Sequence, residues 1–183
     1  MAADVDWLAG GQRRDLALRA IRAAARQQLL DEGIGRFTVE AVARRAGCSR
    51  ATVYRVAGGK KALLDAVLAA GAAEVAEKVA GAVMDLSGED RVVEAILAGL
   101  REVRRDSAVN EWVRQTVVGG DVLQNSDDLS SLAGTWTDGA GVSLLEGQWI
   151  LRVFLQFVAW PAADEDSERT LVRDFVGPAF RPR

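Results

Sequence analysis

Only three prolines, Pro161, Pro178 and Pro182, interrupt a chain of 183 residues. Ala, Leu, Val, Arg and Glu dominate, and strand-type alternation flanked by turn residues is hard to find. A chain so poor in breakers and so rich in helix formers is directed to an all-α fold. Breaks must then come mainly from glycine. With 49% hydrophobic residues, the chain can build a real core as one large domain or two small ones.

Residues 1–12 read as a flexible tail closed by Gly10-Gly11. A helix then runs from Arg13 to Glu32, with Ile21, Ala24, Ala25 and Leu29 on one face, and Gly33 ends it. Thr38 is the expected N-cap of a second helix reaching Ala46, with Val39, Val42, Ala43 and Ala46 on one face. Gly47 breaks the chain, and Ser49 caps a third, short helix, Arg50 to Val56. After Gly58-Gly59 a fourth helix runs from Lys60 to about Met84. A fifth, Glu89 to Arg105, carries the stripe Val92, Val93, Ile96, Leu97 and Leu100. Further helices are expected near 108–118, 121–133 and 142–160, with a Gly-rich stretch at 135–141. After an acidic loop the last helix spans about Glu168 to Gly177. The expected total is about nine helices.

Composition excludes several chemistries. Histidine is absent, so His-based acid–base catalysis, Ser-His triads and His-ligated zinc are impossible. The single cysteine, Cys48, rules out an internal disulfide framework and a Cys-rich metal site. No cofactor is expected, and no clustered carboxylate pair marks an enzyme. No run of about 20 uncharged apolar residues is present, so no membrane span is expected. The segment from Met1 to Gly11 holds Asp4 and Asp6 and no Lys or Arg, unlike a secretory signal. A cytoplasmic location is the resulting expectation.

Net charge is −3, but it is unevenly spread. Gly11 to Lys61 holds 12 Lys+Arg against 4 Asp+Glu, whereas Ala62 to Arg183 holds 11 against 20. A basic segment of this kind is the footprint of a phosphate-backbone binder, although Arg-rich helices also serve solubility. The basic third contains Thr38–Lys60, TVEAVARRAGCSRATVYRVAGGK. Two short helices joined by a glycine turn form a helix-turn-helix, whose second helix enters the major groove of DNA. That helix offers Arg50, Thr52, Tyr54 and Arg55 outward, and Val53 and Val56 inward. Arginine can bond guanine O6 and N7 together, threonine can meet a base or a phosphate, and a phenol suits phosphate.

From Arg13 to Val67 the chain resembles the tetracycline-repressor (TetR) family of bacterial transcription regulators. The resemblance rests on Gly33, Thr38, Ala46-Gly47-Cys48-Ser49, Thr52-Val53-Tyr54, Lys60 and Leu63-Leu64 at the family's spacing. It implies a helix-turn-helix head over 13–59 and a helical ligand-binding and dimerisation domain over 60–183. It implies phosphate contacts at Thr38, Tyr54 and Lys60, and base-side positions at Arg50, Ala51, Thr52 and Arg55, with Ser49 in the same DNA-facing set. Lys60 also follows Gly58-Gly59 at a helix start, where free N–H groups and the helix dipole favour an anion; an ordinary tight turn is the alternative.

The implied activity is repression. A homodimer would bind a palindromic double-stranded operator and be released by a small hydrophobic ligand. A regulator without an effector and a helical protein-interaction module are the alternatives. Three departures stand out. Ala57 and Val56 replace residues that are usually aromatic, which should loosen packing between the third and fourth helices. Gln28 replaces an apolar residue. Cys48 replaces a small apolar one, either as a buried hydrophobe or as a redox sensor. Arg13 and Arg14 reach phosphate or minor groove, or are solvated surface charges.

Trp149 to Trp160, WILRVFLQFVAW, is apolar almost all round, relieved by Arg152 and Gln156. Such a helix must bury more than one face. Together with the last helix it could form a two-fold four-helix interface through Leu151, Leu155, Val158, Leu171, Val172 and Phe175. Leu97, Arg101, Trp112, Trp136, Trp149 and Phe154 are candidates to line a ligand cavity, with plain core packing as the alternative.

Overall fold

The computed structural model describes residues 5–119 and 142–181. All regular structure there is helical: α1 (Val5–Glu32), a 3-10 turn (Ile34–Arg36), α2 (Val39–Arg45), α3 (Arg50–Ala57), α4 (Lys60–Ala82), α5 (Gly88–Arg105), α6 (Ser107–Gly119), α7 (Leu144–Ala159) and α8 (Glu165–Leu171). After α8 come a π-helical turn (Val172–Val176) and a 3-10 turn (Gly177–Phe180). The expected helix at 121–133, the Gly-rich stretch at 135–141 and Trp136 lie outside the described residues. No helix among the described residues is long and apolar enough to cross a membrane.

The first helix departs from expectation. It begins at Val5, so Gly10 and Gly11 lie inside it and the expected tail is helical from that point. Each interior glycine costs about 1 kcal/mol relative to alanine, a penalty a helix of 28 residues absorbs without breaking.

The chain forms two compact units, Met1–Ala70 and Gly71–Arg183, dividing inside α4. In the first, α1, α2 and α3 pack on one another in all three pairings. Its core is Ile21, Ala25 and Leu29 from α1, Phe37, Val42 from α2 and Val53 from α3, with Leu63 and Val67 buried on α4. Gln28 is buried in this core, where an apolar side chain was the expectation. Its Nε2 donates to the Arg36 carbonyl at 3.2 Å and to Glu32 Oε2 at 3.3 Å, tethering α1 to the turn before α2. Its Oε1 has no partner. Arg45 joins the end of α2 to the end of α1, with Nη1 and Nη2 each 2.8 Å from Asp31 and Glu32 respectively.

The second unit is built around α5. Its apolar stripe, Val92 through Val103, is buried against Val79 of α4 and Val83 just after it, Val109 and Val113 of α6, Ile150 and Phe154 of α7, and Val172 and Val176. Asp106 links α5 to α6 by accepting from the Ala108 and Val109 N–H groups. Ser143 and Glu146 cap α7 reciprocally, each side chain accepting from the other's backbone N–H. Glu168, 4% exposed, accepts two hydrogen bonds from Arg104, at 2.8 and 2.6 Å. The Arg104 guanidinium is held above its ordinary pKa by that carboxylate. Gly177 crosses α5 so closely that an added Cβ would lie 2.7 Å from Glu89 Oε1.

Candidate nucleic-acid interface

The two short helices start on side-chain caps. Thr38 Oγ1 accepts from the Ala41 N–H at 3.2 Å, and Ser49 Oγ accepts from the Thr52 N–H at 3.1 Å. Ser49 Oγ also lies 3.0 Å from Thr52 Oγ1, so both hydroxyls are engaged locally. Gly47 takes φ +66°, the left-handed region that glycine enters without Cβ strain, and turns the chain between α2 and α3. Cys48 in that turn is half-buried, and its N–H donates to the Ala43 carbonyl.

Val53 is fully buried and anchors α3, a contribution of about 1.5–3 kcal/mol. Val56 and Ala57 are only half-buried. The opposite side of the helix is open: Arg50, Ala51, Tyr54 and Arg55 are exposed, and Thr52 is half-buried. Burial by one valine thus leaves most of the expected reading set at the surface. Arg50 Nη2 lies 2.7 Å from Glu40 Oε1 of α2, an exposed ion pair across the turn. Among the described residues, Arg44, Arg55 and Lys60 are exposed and meet no carboxylate.

The link into α4 is shaped by two glycines. Gly58 ends α3 in a left-handed conformation, φ +78°, its N–H donating to the Tyr54 carbonyl. Gly59 follows at φ +91°. A Cβ there would lie 2.9 Å from Tyr54 Cε1, so the ring rests directly on the Gly59 backbone. Tyr54 is therefore braced from behind while half of its surface stays open. Lys60 then opens α4, where the first N–H groups are unpaired within the helix. Thr38, Tyr54 and Lys60 all stand exposed in this unit, able to meet an anion.

The remaining candidates fall in the second unit. Leu97 and Phe154 are buried in its core, and Trp112 packs partly buried against it. Arg101 is paired with Glu94 at 2.5 Å. Its neighbours Arg104 and Arg105 pair with Glu168 and Glu102. Trp149 lines an open groove of about 480 Å³ together with Leu145, Gln148, Arg152 and Phe180, its ring 6.2 Å from that of Phe180.

Three of the expected interface residues need correction. Leu155, Val158 and Val172 are buried in the core of their own protomer, and Leu151 is half-buried against it. The stripe left open carries Leu145 and Trp149 of α7 and Trp160 just after it, and Leu171 at the end of α8 and Phe175 beyond it are also exposed. A helix apolar on nearly every side gives no sign of which face the core takes. Trp149, Leu171 and Phe175 were among the expected residues, whereas Leu145, Trp160 and Phe180 were not.

Residues 21–67 match the family model of the bacterial regulatory proteins of the tetR family. Over 188 aligned residues the chain is 27% identical to Rv1255c, an uncharacterized HTH-type transcriptional regulator of Mycobacterium tuberculosis, covering 98% of this chain and 93% of that protein. A second such regulator of that species, Rv2250c, is 35% identical over 99 residues, 53% of this chain and 49% of that one. Among solved structures, the TetR family repressor AlkX from Dietzia sp. strain DQ12-45-1b, implicated in biodegradation of n-alkanes, superposes with a TM-score of 0.66 at 19% identity, covering 88% of this chain and 93% of AlkX. A TetR-like transcriptional regulator from Rhodococcus sp. RHA1 reaches 0.51 at 21% identity, covering 90% and 97%.

Proposed function

We propose that the chain is a tetR-type bacterial transcriptional regulator, and that it acts as a repressor binding a palindromic operator as a homodimer. The observation that carries this reading is the surface of α3, with Val53 buried and Arg50, Ala51, Tyr54 and Arg55 turned outward. Arg50 and Arg55, with Ala51 and Thr52, read base edges in the major groove. Thr38, Tyr54 and Lys60 hold phosphates and set the register.

The exposed apolar residues Trp160, Leu171 and Phe175 support pairing of two protomers, since a lone soluble chain rarely leaves such a patch open. A symmetric pair presents two reading helices one DNA turn apart, roughly 34–36 Å, or a multiple of it, which requires a palindrome. In this reading the protein works in the cytoplasm. A small apolar ligand, bound in the helical body, shifts the population toward a form of lower operator affinity. A coupling of about 1–3 kcal/mol releases DNA 5–150-fold. Regulation by occupancy alone is the second reading, favoured by the burial of Leu97 and Phe154 among core side chains.

The test begins with duplexes selected from a random pool by the purified protein. A dimer by light scattering, a palindrome in the selected sequences, and loss of binding in the Arg50→Ala, Lys60→Ala double variant are expected. Binding untouched by that double variant overturns the reading.

A further inference from the structure

Of the cations around α2 and α3, Arg50 is singled out by its partner. Arg44, Arg55 and Lys60 meet no carboxylate among the described residues, and Arg45 is turned to Asp31 and Glu32 at the end of α1. Arg50 instead forms an ion pair with Glu40 across the turn, its Nη2 2.7 Å from Oε1, with both side chains more than half exposed and open to an approaching duplex. Resting on the DNA-binding reading above, we infer that Glu40 is a specificity-determining positioning residue that biases Arg50 toward base edges and away from phosphate.

A bare guanidinium binds phosphate and guanine alike through its planar fork of donors. With Glu40 2.7 Å from one Nη, a phosphate approaching the same group meets a carboxylate as well, and like charges repel. Guanine offers O6 and N7, acceptors with partial rather than full negative charge, so the repulsion there is weaker. The guanidinium has five N–H donors, enough to keep Glu40 and still reach both guanine atoms. Glu40 also sits in the first turn of α2, where the helix dipole stabilises its charge. The carboxylate therefore lowers indiscriminate affinity more than specific affinity, and it narrows the orientations that Arg50 samples.

The experiment compares the wild type with Glu40→Gln, Arg50→Ala and the double variant. Each is titrated over a salt series against the duplex selected by the wild type and against poly(dI-dC), with melting curves to establish folding. Glu40→Gln should bind poly(dI-dC) about two- to fivefold more tightly per head, the size of one exposed charge pair. Its log-log salt slope should steepen by about 0.9 per head as Arg50 takes up a phosphate. Preference for the selected duplex should fall, and guanine preference should relax at one position per half-site. In the Arg50→Ala background the same change should leave the ratio of the two affinities unaltered. An unaltered ratio in the single variant, or an equal effect with and without Arg50, overturns the role of Glu40 alone. A wild type that binds neither duplex overturns the DNA-binding reading together with it.

Discussion

In the second unit, Arg101, Arg104, Arg105 and Arg181 each meet a carboxylate of the same unit, and Glu168 is buried in doing so. Around α2 and α3, Arg44, Arg55 and Lys60 meet none among the described residues and stand exposed. The apolar residues are distributed the other way. Among the described residues the head leaves Leu16, Leu30 and Tyr54 exposed, whereas the body leaves Met84, Leu145, Trp149, Trp160, Leu171 and Phe175 open. Both units are helical, so secondary structure does not separate their roles. Both units leave exposed cations without a carboxylate partner among the described residues, Arg44, Arg55 and Lys60 in the head and Arg114 and Arg169 in the body, so what separates them is the apolar surface that the body leaves open.

The largest effect that would test this contrast concerns the buried pair. Glu168→Ala strands the Arg104 guanidinium and should cost about 3–5 kcal/mol in chemical denaturation, less to the extent that water reaches Arg104. DNA affinity of the folded protein should not change. A cost below about 1 kcal/mol would mean that the body's pairing is as inconsequential as a surface contact.

The head should show the converse. Arg50→Ala is expected to cost about 1–3 kcal/mol in operator binding and to relax preference at one base position, with stability nearly unmoved. Lys60→Ala should weaken every duplex alike and lower the salt slope by about 1 per site. If the two variants respond identically across operator sequences, the division between reading and anchoring residues is wrong.

Gly59→Ala should destabilise the head by about 1–3 kcal/mol, because φ +91° is disfavoured for alanine and the new methyl meets the Tyr54 ring. Operator affinity should drop with it. An equally tight Gly59→Ala protein would show that Tyr54 needs no brace.

The smallest effect is on pH. Hydrogen bonds from Gln27 and then Arg45 hold Asp31 below its ordinary 3.8, and those from Arg45 and then Gln28 hold Glu32 below 4.5. Groups whose folded pKa is depressed contribute above the ordinary values and lose that contribution as pH falls through the lowered ones. Melting temperature should therefore decline with acidification in that range, and the decline should be shallower in Arg45→Ala. Parallel profiles for the two proteins would remove the α1–α2 ion pairs from the account.

The head was legible because its signals are local. Thr38 and Ser49 cap helices that start one residue later, and Gly47 and Gly58 take the left-handed conformations that only their missing Cβ makes easy. Gln28 and the Glu40–Arg50 pair were less visible. Each depends on a partner from a neighbouring segment that periodicity does not name.

The body was legible in outline only. The stripe of α5 is one-sided and points to its own burial, whereas α7 is apolar nearly all round, so Leu155 and Val158 could not be told from Leu145 and Trp160 as core or surface. The pairings of Arg101 and Arg104 lie 7 and 64 residues away. By itself, then, the order of residues determined the helices, their caps and turns, and the outward side of α3, since each follows from contacts within a few residues. Tertiary packing alone decided which face of α7 is inside, which arginines are neutralised and which single arginine faces Glu40, since those outcomes depend on chain segments that only the folded core brings together.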